Sequence, residues 1–331
     1  MVGGNRGYTR IRGARKSGGR RRPRYNRMVI FVLQLGTLAY SEGLRLQQKL
    51  VDLRKAGQIG DVLVLLEHTP VITLGRNARA ANVLASTEQL AARGVEVFDC
   101  DRGGDVTFHG PGQIVGYPIF DLRGFSRQPS AVSHQPSAIS HQEEHSNAAA
   151  ESLPSWRKTL GAVDYVRRLE EVLIRACGEF GIVTKRVAGL TGVWTESAGV
   201  GSGLRPDRGG SEPRHHTDAE AKIAAIGVHI SRSVTSHGFA LNVNTDLDFF
   251  DLIVPCGIEA KPVTSMKKEL GREVDLEAVG QSLSRNFGTV FGRQILWVES
   301  IDSVLGRAVG VPVKAPDEMR KLHGEEDFIA T

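Results

Sequence analysis

Cys256 and Lys222 are the two side chains whose type and setting point most directly to chemistry. Cys256 stands between Pro255 and Gly257 in the run DFFDLIVPCGI, Asp248 to Ile258. That framing displays the thiol on a bent, chain-ending segment rather than inside a strand. Lys222 precedes it by 34 residues and opens an apolar run, KIAAIGVHI, where a charge is expensive to keep. A thiol is a nucleophile only as thiolate, and a nearby cation is the usual means of lowering its pKa. The pair suggests covalent chemistry at sulfur. Two plainer readings stay open: a free cysteine is commonly an inert small hydrophobe, and a lysine heading a strand commonly guards a sheet edge.

A second candidate region is RGGDVTFHGPGQ, Arg102 to Gln113, with four glycines and a proline around polar side chains. Glycines let backbone approach a ligand closely and expose N–H donors, which suits a thin channel for a chain-like substrate. Neither GxGxxG nor GxxxxGK[ST] is present, so a phosphate cradle is disfavoured. The plain alternative is a glycine-rich hairpin. His109 and His237 are candidate bases for Cys256, although a lone histidine near a strand is commonly a hydrogen-bonded structural group. Cys100 and Cys177 are expected to fill core.

The elements that must position these groups follow from periodicity. Strands are expected at Val29 to Leu35, Asp61 to His68, Val95 to Phe98, Asp105 to His109 and Gln113 to Asp121, with PVITLG extended after the second. Further strands are expected at Val183 to Val187, Gly192 to Thr195, Lys222 to Ser231 and His237 to Asn244. Helices are expected at Tyr40 to Lys55, Thr87 to Arg93 and Val274 to Phe291. The strongest is Ala162 to Phe180, with Val163, Val166, Leu169, Leu173, Ala176 and Phe180 spaced three or four apart. This order lacks regular βαβ alternation and indicates a single α+β domain with a mixed or antiparallel sheet. The domain is expected to span 28–298, after a disordered tail over 1–27. Only a polar tail with weak helix is expected over 299–331.

Two segments interrupt the pattern. Residues 126–158 contain a tandem repeat, QPSAVSH then QPSAISH, and residues 197–220 are rich in Gly, Pro and Arg. Both read as surface insertions. Their histidines, His134, His141, His145, His215 and His216, fit low-complexity expansion better than a metal site, because nothing fixes their geometry.

The 331 residues carry a formal net charge of +5, but the tail misleads. Residues 1–27 hold ten Lys or Arg and no acid, leaving 32 bases against 37 acids, or −5, in the remainder. The tail reads as a nucleic-acid arm, a transit peptide or a non-functional extension, and the last is preferred. Three cysteines without a CxxC pair argue for a reducing compartment and against a disulfide scaffold or thiolate metal site. No apolar stretch approaches the ~20 residues of a membrane span, and no secretory h-region is seen at the start.

Four ordered blocks give the chain a family resemblance. They are EHTPVITLGRNA (Glu67 to Ala78), RGGDVTFHGPGQIVGYPIFDL (Arg102 to Leu122), KIAAIGVHISRSVTSHGFALNVNTDL (Lys222 to Leu247) and DLIVPCGI (Asp251 to Ile258). On these the sequence resembles the lipoyl (octanoyl) transferases, also called the lipoate-protein ligase B family. The resemblance implies an α/β fold shared with biotin and lipoate ligases. It implies transfer of an octanoyl group from octanoyl-acyl carrier protein to a lysine of lipoyl domains, in 2-oxoacid dehydrogenase complexes and the glycine cleavage H protein. No ATP or metal cofactor is implied, nor a membrane or specific nucleic-acid partner. Cys256 would carry the acyl group as a thioester, and Lys222 would lower its pKa and relay protons. Arg102, Gly103, Gly104, Asp105, Val106, Thr107, Phe108 and His109 would bind substrate, with Ala225, Ile226, Gly227, Gly238, Phe239 and Ala240. Asp105 departs from the family, which usually has Gln there, and adds a negative charge beside the expected acyl channel.

Alternatives are an ATP-dependent lipoate or biotin ligase on the same fold, a thiol hydrolase using Cys256 and a histidine, and a non-catalytic acyl-carrier or nucleic-acid binding protein. A cytoplasmic location is expected, or a mitochondrial one if the tail is a transit peptide. The preferred reading of the tail makes a direct prediction. Deleting residues 1–27 should leave acyl transfer to a lipoyl domain intact in a purified assay, whereas an obligatory arm would make the truncation inactive.

Overall fold

The computed structural model describes residues 28–125, 159–196, 220–255 and 261–304. Two sheets organise them. Eight strands form the larger: β1 (Val29–Leu38), β2 (Asp61–His68), β6 (Gln113–Ile119), β7 (Thr184–Val187), β8 (Leu190–Thr195), β9 (Lys222–Ser231), β10 (Val234–Asn242) and β11 (Gln294–Val298). Their order is β11-β1-β2-β6-β10-β9-β8-β7. Pairing is parallel at β11–β1–β2 and antiparallel from β2 onward. The smaller sheet has β3 (Val71–Leu74) at its centre, parallel to β4 (Glu96–Asp99) and antiparallel to β5 (Val106–His109). The mixed α/β domain agrees with the architecture expected from the sequence.

Strand alternation explains how the larger sheet is covered on both faces. Ile30, Val32, Leu63 and Leu65 turn toward α3 (Ala162–Glu179) and α5 (Leu276–Phe291). Phe31, Leu33, Val62 and Val64 turn toward α1 (Tyr40–Lys55). Helix α3 buries Tyr165, Leu169, Val172, Leu173, Ala176 and Cys177. Val163 belongs to the expected stripe but stays 71% exposed, because the first turn buries Tyr165 instead and Val163 points off that face. A third cluster sits under the smaller sheet, where Ile72, Val106 and Phe108 meet Leu90, Phe250 and Ile253. Leu90 belongs to the short α2 (Thr87–Ala92), begun by a Ser86–Gln89 capping box.

Two elements were not foreseen. β11 joins the sheet edge beside β1, and the short α4 (Met266–Leu270) begins at the Ser265 cap. The weak helix expected beyond 298 includes α6 (Ile301–Val304), whose Ile301 and Val304 pack into the α1 core, so the packed domain runs past 298. β10 also starts three residues earlier than expected. Arg232 and Ser233 both take left-handed conformations, and their tight turn matches the twist of the paired β9 and β10. No helix among the described residues is long and apolar enough to cross a membrane.

Aromatic rings close the α3–α5 core. Phe287 lies 5.9 Å from Phe120 and 5.5 Å from Phe291, centroid to centroid, and is fully buried. Phe287→Ala should therefore cost about 3–5 kcal/mol in a denaturant unfolding experiment. A loss below 1 kcal/mol would mean that this core collapses around the gap.

Candidate functional site

Two adjoining cavities occupy the face of β9, β10 and β6 that meets the smaller sheet. The larger one, about 490 Å³ counting space open to solvent, is lined by Arg102, Gly103, Gly104, Asp105, Thr107 and His109 together with Ala225, Ile226, Gly227, Gly238, Phe239 and Ala240. Tyr40, Val115, Tyr117 and His237 complete its wall. The second, about 270 Å³, is lined by Lys222, Ala224, Gln113, Asn242, Phe250, Pro255 and Val263. Thr107, Ala225 and Ala240 belong to both. Ala225 and Ala240 are directly opposed across the β9–β10 ladder, so the shared wall is narrow-chained and largely apolar.

Most residues expected to bind substrate therefore line one cleft. Val106 and Phe108 do not. Side chains of successive strand residues point to opposite faces, so Thr107 and His109 face the cleft while Val106 and Phe108 enter the third core cluster. Gly227 shows why this lining is glycine-rich: a Cβ there would meet the Gly103 carbonyl at 2.7 Å. Arg102 is buried, with Nε and Nη2 donating to Thr73 Oγ1 at 3.2 and 2.9 Å and Nη2 also to the Thr73 carbonyl at 2.7 Å. Its guanidinium thus fastens the glycine-rich loop to β3.

Asp105 is also committed. Its Oδ2 accepts from Asn82 Nδ2 at 2.6 Å, and Oδ1 accepts from the Arg79 and Val106 amides. The added charge is turned onto the 79–82 turn, although the residue borders the cleft. Asn82 in turn accepts from the Val254 amide at 2.7 Å through its carbonyl.

Lys222 is 7% exposed and lies between β8 and a parallel bridge to Val263, so it is no edge guard. Its amide donates to the Pro262 carbonyl at 2.8 Å, and its carbonyl accepts from the Thr264 amide at 3.0 Å. Cys256 lies outside the described residues, as do His134, His141, His145, His215 and His216. Its neighbour Pro255 shares the smaller cavity with Lys222. Cys177 is buried in α3, where loss of solvent pushes its thiol up to about 12. Cys100, expected in the core, is only half-buried at the end of β4, where its Sγ donates to the Leu74 carbonyl at 3.4 Å.

Of the histidines, His237 lies toward the far end of the larger cleft, whereas His109 contacts Gln113, which lines the smaller cavity with Lys222. His237 pairs with Val228, six residues along β9 from Lys222, a strand distance of roughly 20 Å. It donates from Nε2 to Asp101 Oδ1 at 2.7 Å, while its own amide donates to Gln47 Oε1. His109 Nδ1 donates to Gln113 Oε1 at 2.7 Å, because that amide's nitrogen is spent on Phe108 and Asn242. His68 Nδ1 donates to the Leu38 carbonyl, so its Nε2 accepts from the Tyr117 hydroxyl at 2.7 Å. Burial lowers His68 to about 4. Burial, then the proximity of His68, lowers His109 to about 3. Both are neutral at pH 7; burial makes His109 a poor proton acceptor, and His237 is set too far along β9 to serve as a base beside Lys222.

Sequence reasoning missed Tyr40, Tyr117, Asn242 and Trp194, and gave Gln113 no role beyond its place in the glycine-rich segment. The available signal was polar or aromatic character inside otherwise apolar strands, as in QIVGYPI.

Comparison with known proteins agrees with this geometry. Residues 39–139 and 153–288 match the family model described as lipoyl protein ligase A/B catalytic domain. The chain is 51% identical over 298 residues to an octanoyltransferase of Koribacter versatilis (strain Ellin345), covering 90% of this chain and 98% of that one. It is 50% identical over 280 residues to an octanoyltransferase of Acidobacterium capsulatum, covering 84% and 96%. In fold it is similar to a bipartite lipoate protein ligase from Thermoplasma acidophilum, with TM-score 0.54, 13% identity, and 88% and 96% of the chains covered. Fold and cleft thus define a catalytic domain of the lipoyl protein ligase A/B class. Within that class the chain belongs to the octanoyltransferase family, acyltransferases of protein lipoylation.

The neutral histidines make stability depend on pH. His68 and His109 have folded pKa values below their unfolded value of 6.5. The unfolded chain therefore binds more protons from pH 6.5 down to about 4 at His68 and about 3 at His109, and stability falls as pH drops through that window. Urea unfolding at pH 7 and pH 4.5 should show the loss, and His68→Gln should reduce its slope. An identical slope in the variant would remove His68 as a source.

Proposed function

We propose that the enzyme transfers an octanoyl group in two steps through a thioester on Cys256, with Lys222 assisting both. The observation that carries this reading is the common cavity of Lys222 and Pro255, the residue bonded to Cys256, joined at Thr107, Ala225 and Ala240 to the glycine-lined cleft. That continuity offers an acyl chain an apolar path leading away from Pro255 and Lys222.

In the first step the Cys256 thiolate attacks the thioester carbonyl of octanoyl-acyl carrier protein. The new C–S bond forms as the carrier's C–S bond breaks, and the carrier thiol leaves with a proton. In the second, the amine of a lipoyl-domain lysine attacks the Cys256 thioester, giving an amide and returning the thiolate. The Lys222 ammonium stabilises the thiolate by its charge and passes protons to and from the departing groups. Exchange of one thioester for another is close to neutral, and amide formation runs downhill, so this route uses neither ATP nor a metal. Lipoyl domains of 2-oxoacid dehydrogenases and the glycine cleavage H protein are the proposed acceptors. A cytoplasmic site of action is proposed with them.

Mass spectrometry tests the intermediate. After incubation with octanoyl-acyl carrier protein, the wild type should gain one hydroxylamine-labile octanoyl group, and Cys256→Ser should gain none. Lys222→Ala should lower transfer by about 10²-fold or more, a range typical of a lost proton-transfer group. A Cys256→Ser protein that modifies lipoyl domains at normal rate would sink the mechanism.

A further inference from the structure

Lys222 reaches its cavity because β9 is irregular. Val193 on β8 opposes Ala224, but Trp194 opposes Lys222, so the ladder steps two residues on β9 for one on β8. Ile223 is the extra residue of a bulge. In unbroken register Trp194 would face Ile223 instead. The bulge sets Lys222 against Trp194, with its Nζ 5.3 Å from the indole centroid. Gly192, two residues earlier on β8, leaves room for the stem: a Cβ there would lie 2.8 Å from Lys222 Cε and 2.6 Å from the Ala224 carbonyl.

The indole is buried, and its Nε1 has no hydrogen-bond acceptor among the described residues. A buried tryptophan usually finds one. What this ring supplies is its face, which attracts a cation most when water is excluded. A second cation, Lys261 Nζ, lies 5.4 Å from the same centroid, and it is paired with Glu220. Glu220 also accepts from Lys185 at 2.7 Å, and these hydrogen bonds hold its carboxyl down at about 2. The carboxylate thus offsets the neighbouring positive charge.

We propose that Trp194 is a positioning residue for acyl transfer, its ring face holding the Lys222 ammonium at the cavity while the bulge at Ile223 and the bare Gly192 admit the lysine stem. The inference rests on Lys222 acting in the reaction as described above. Trp194 itself touches no reacting atom, so its effect belongs in turnover rather than in substrate affinity.

Trp194→Met keeps a long apolar side chain, removes the ring and loses part of its volume. It should lower kcat on the order of tenfold, the size of one desolvated cation–π contact, with KM for octanoyl-acyl carrier protein within twofold. Trp194→Phe drops the N–H but keeps an aromatic face, and should recover most of the loss. Wild-type kcat in a folded Trp194→Met protein, or equal losses in both variants, would overturn the proposal. A second measurement does not depend on those variants folding. In wild-type protein carrying 13Cε-lysine, the resonance assigned by its disappearance in Lys222→Arg should be displaced by the indole ring current. An undisplaced resonance would also overturn it. If Lys222→Ala transfers normally, the role of Lys222 fails instead, whatever the resonance shows.

Discussion

An ammonium group withdrawn from water loses hydration worth several kcal/mol, and the surrounding protein must return a good part of it. Lys222 is the place where this molecule meets that demand. Its backbone is held on one side by β8 and on the other by the Pro262–Thr264 segment, and its Nζ lies over the Trp194 ring. The surrounding features make sense as consequences. The bulge turns the side chain, Gly192 clears its stem, and the chain on either side of 256–260 is anchored nearby. Val254 bonds to Asn82, and Pro262 accepts from Lys222 itself.

The same arrangement links the two sheets. Asp105 sits in the glycine-rich loop yet organises the Arg79–Asn82 turn, and that turn receives Val254. Arg102 fastens the other side of the loop to β3. Polar groups that look available in sequence are thus used to hold loops where backbone must come close. The cleft keeps mostly small residues, aromatic rings and neutral histidines. An apolar chain meets no ionised group at the shared Thr107, Ala225 and Ala240 wall.

Much of this fold was legible because amphipathic elements repeat their burial pattern. The helices Tyr40–Lys55 and Leu276–Phe291, and strands such as Asp61–His68, declare one or both faces through their spacing. β11 escaped notice because QILWV lies at a sheet edge, where Leu296 and Trp297 stay partly exposed and no buried face marks the strand. The start of β10 escaped because its turn uses Arg232 and Ser233, not the glycine or asparagine that usually mark left-handed positions. Cys100 looked like core filler, but the end of β4 leaves it half-open beside Leu74.

The linear sequence determined the types of group available and their membership in a family, because ordered motifs such as RGGDVTFHGPGQ and DLIVPCGI survive as strings. It also marked Lys222 as unusual, since a cation heading KIAAIGVHI is costly wherever that run is buried. Tertiary structure decided which groups share a space. Only strand pairing separates His237 from Lys222 by six residues of β9, sends Phe108 into the core while Thr107 faces the cleft, and sets Trp194 beside Lys222. The physical reason is that register is a long-range property: a one-residue slip reverses every side chain, and nothing within a single strand records which partner, or which bulge, will set it.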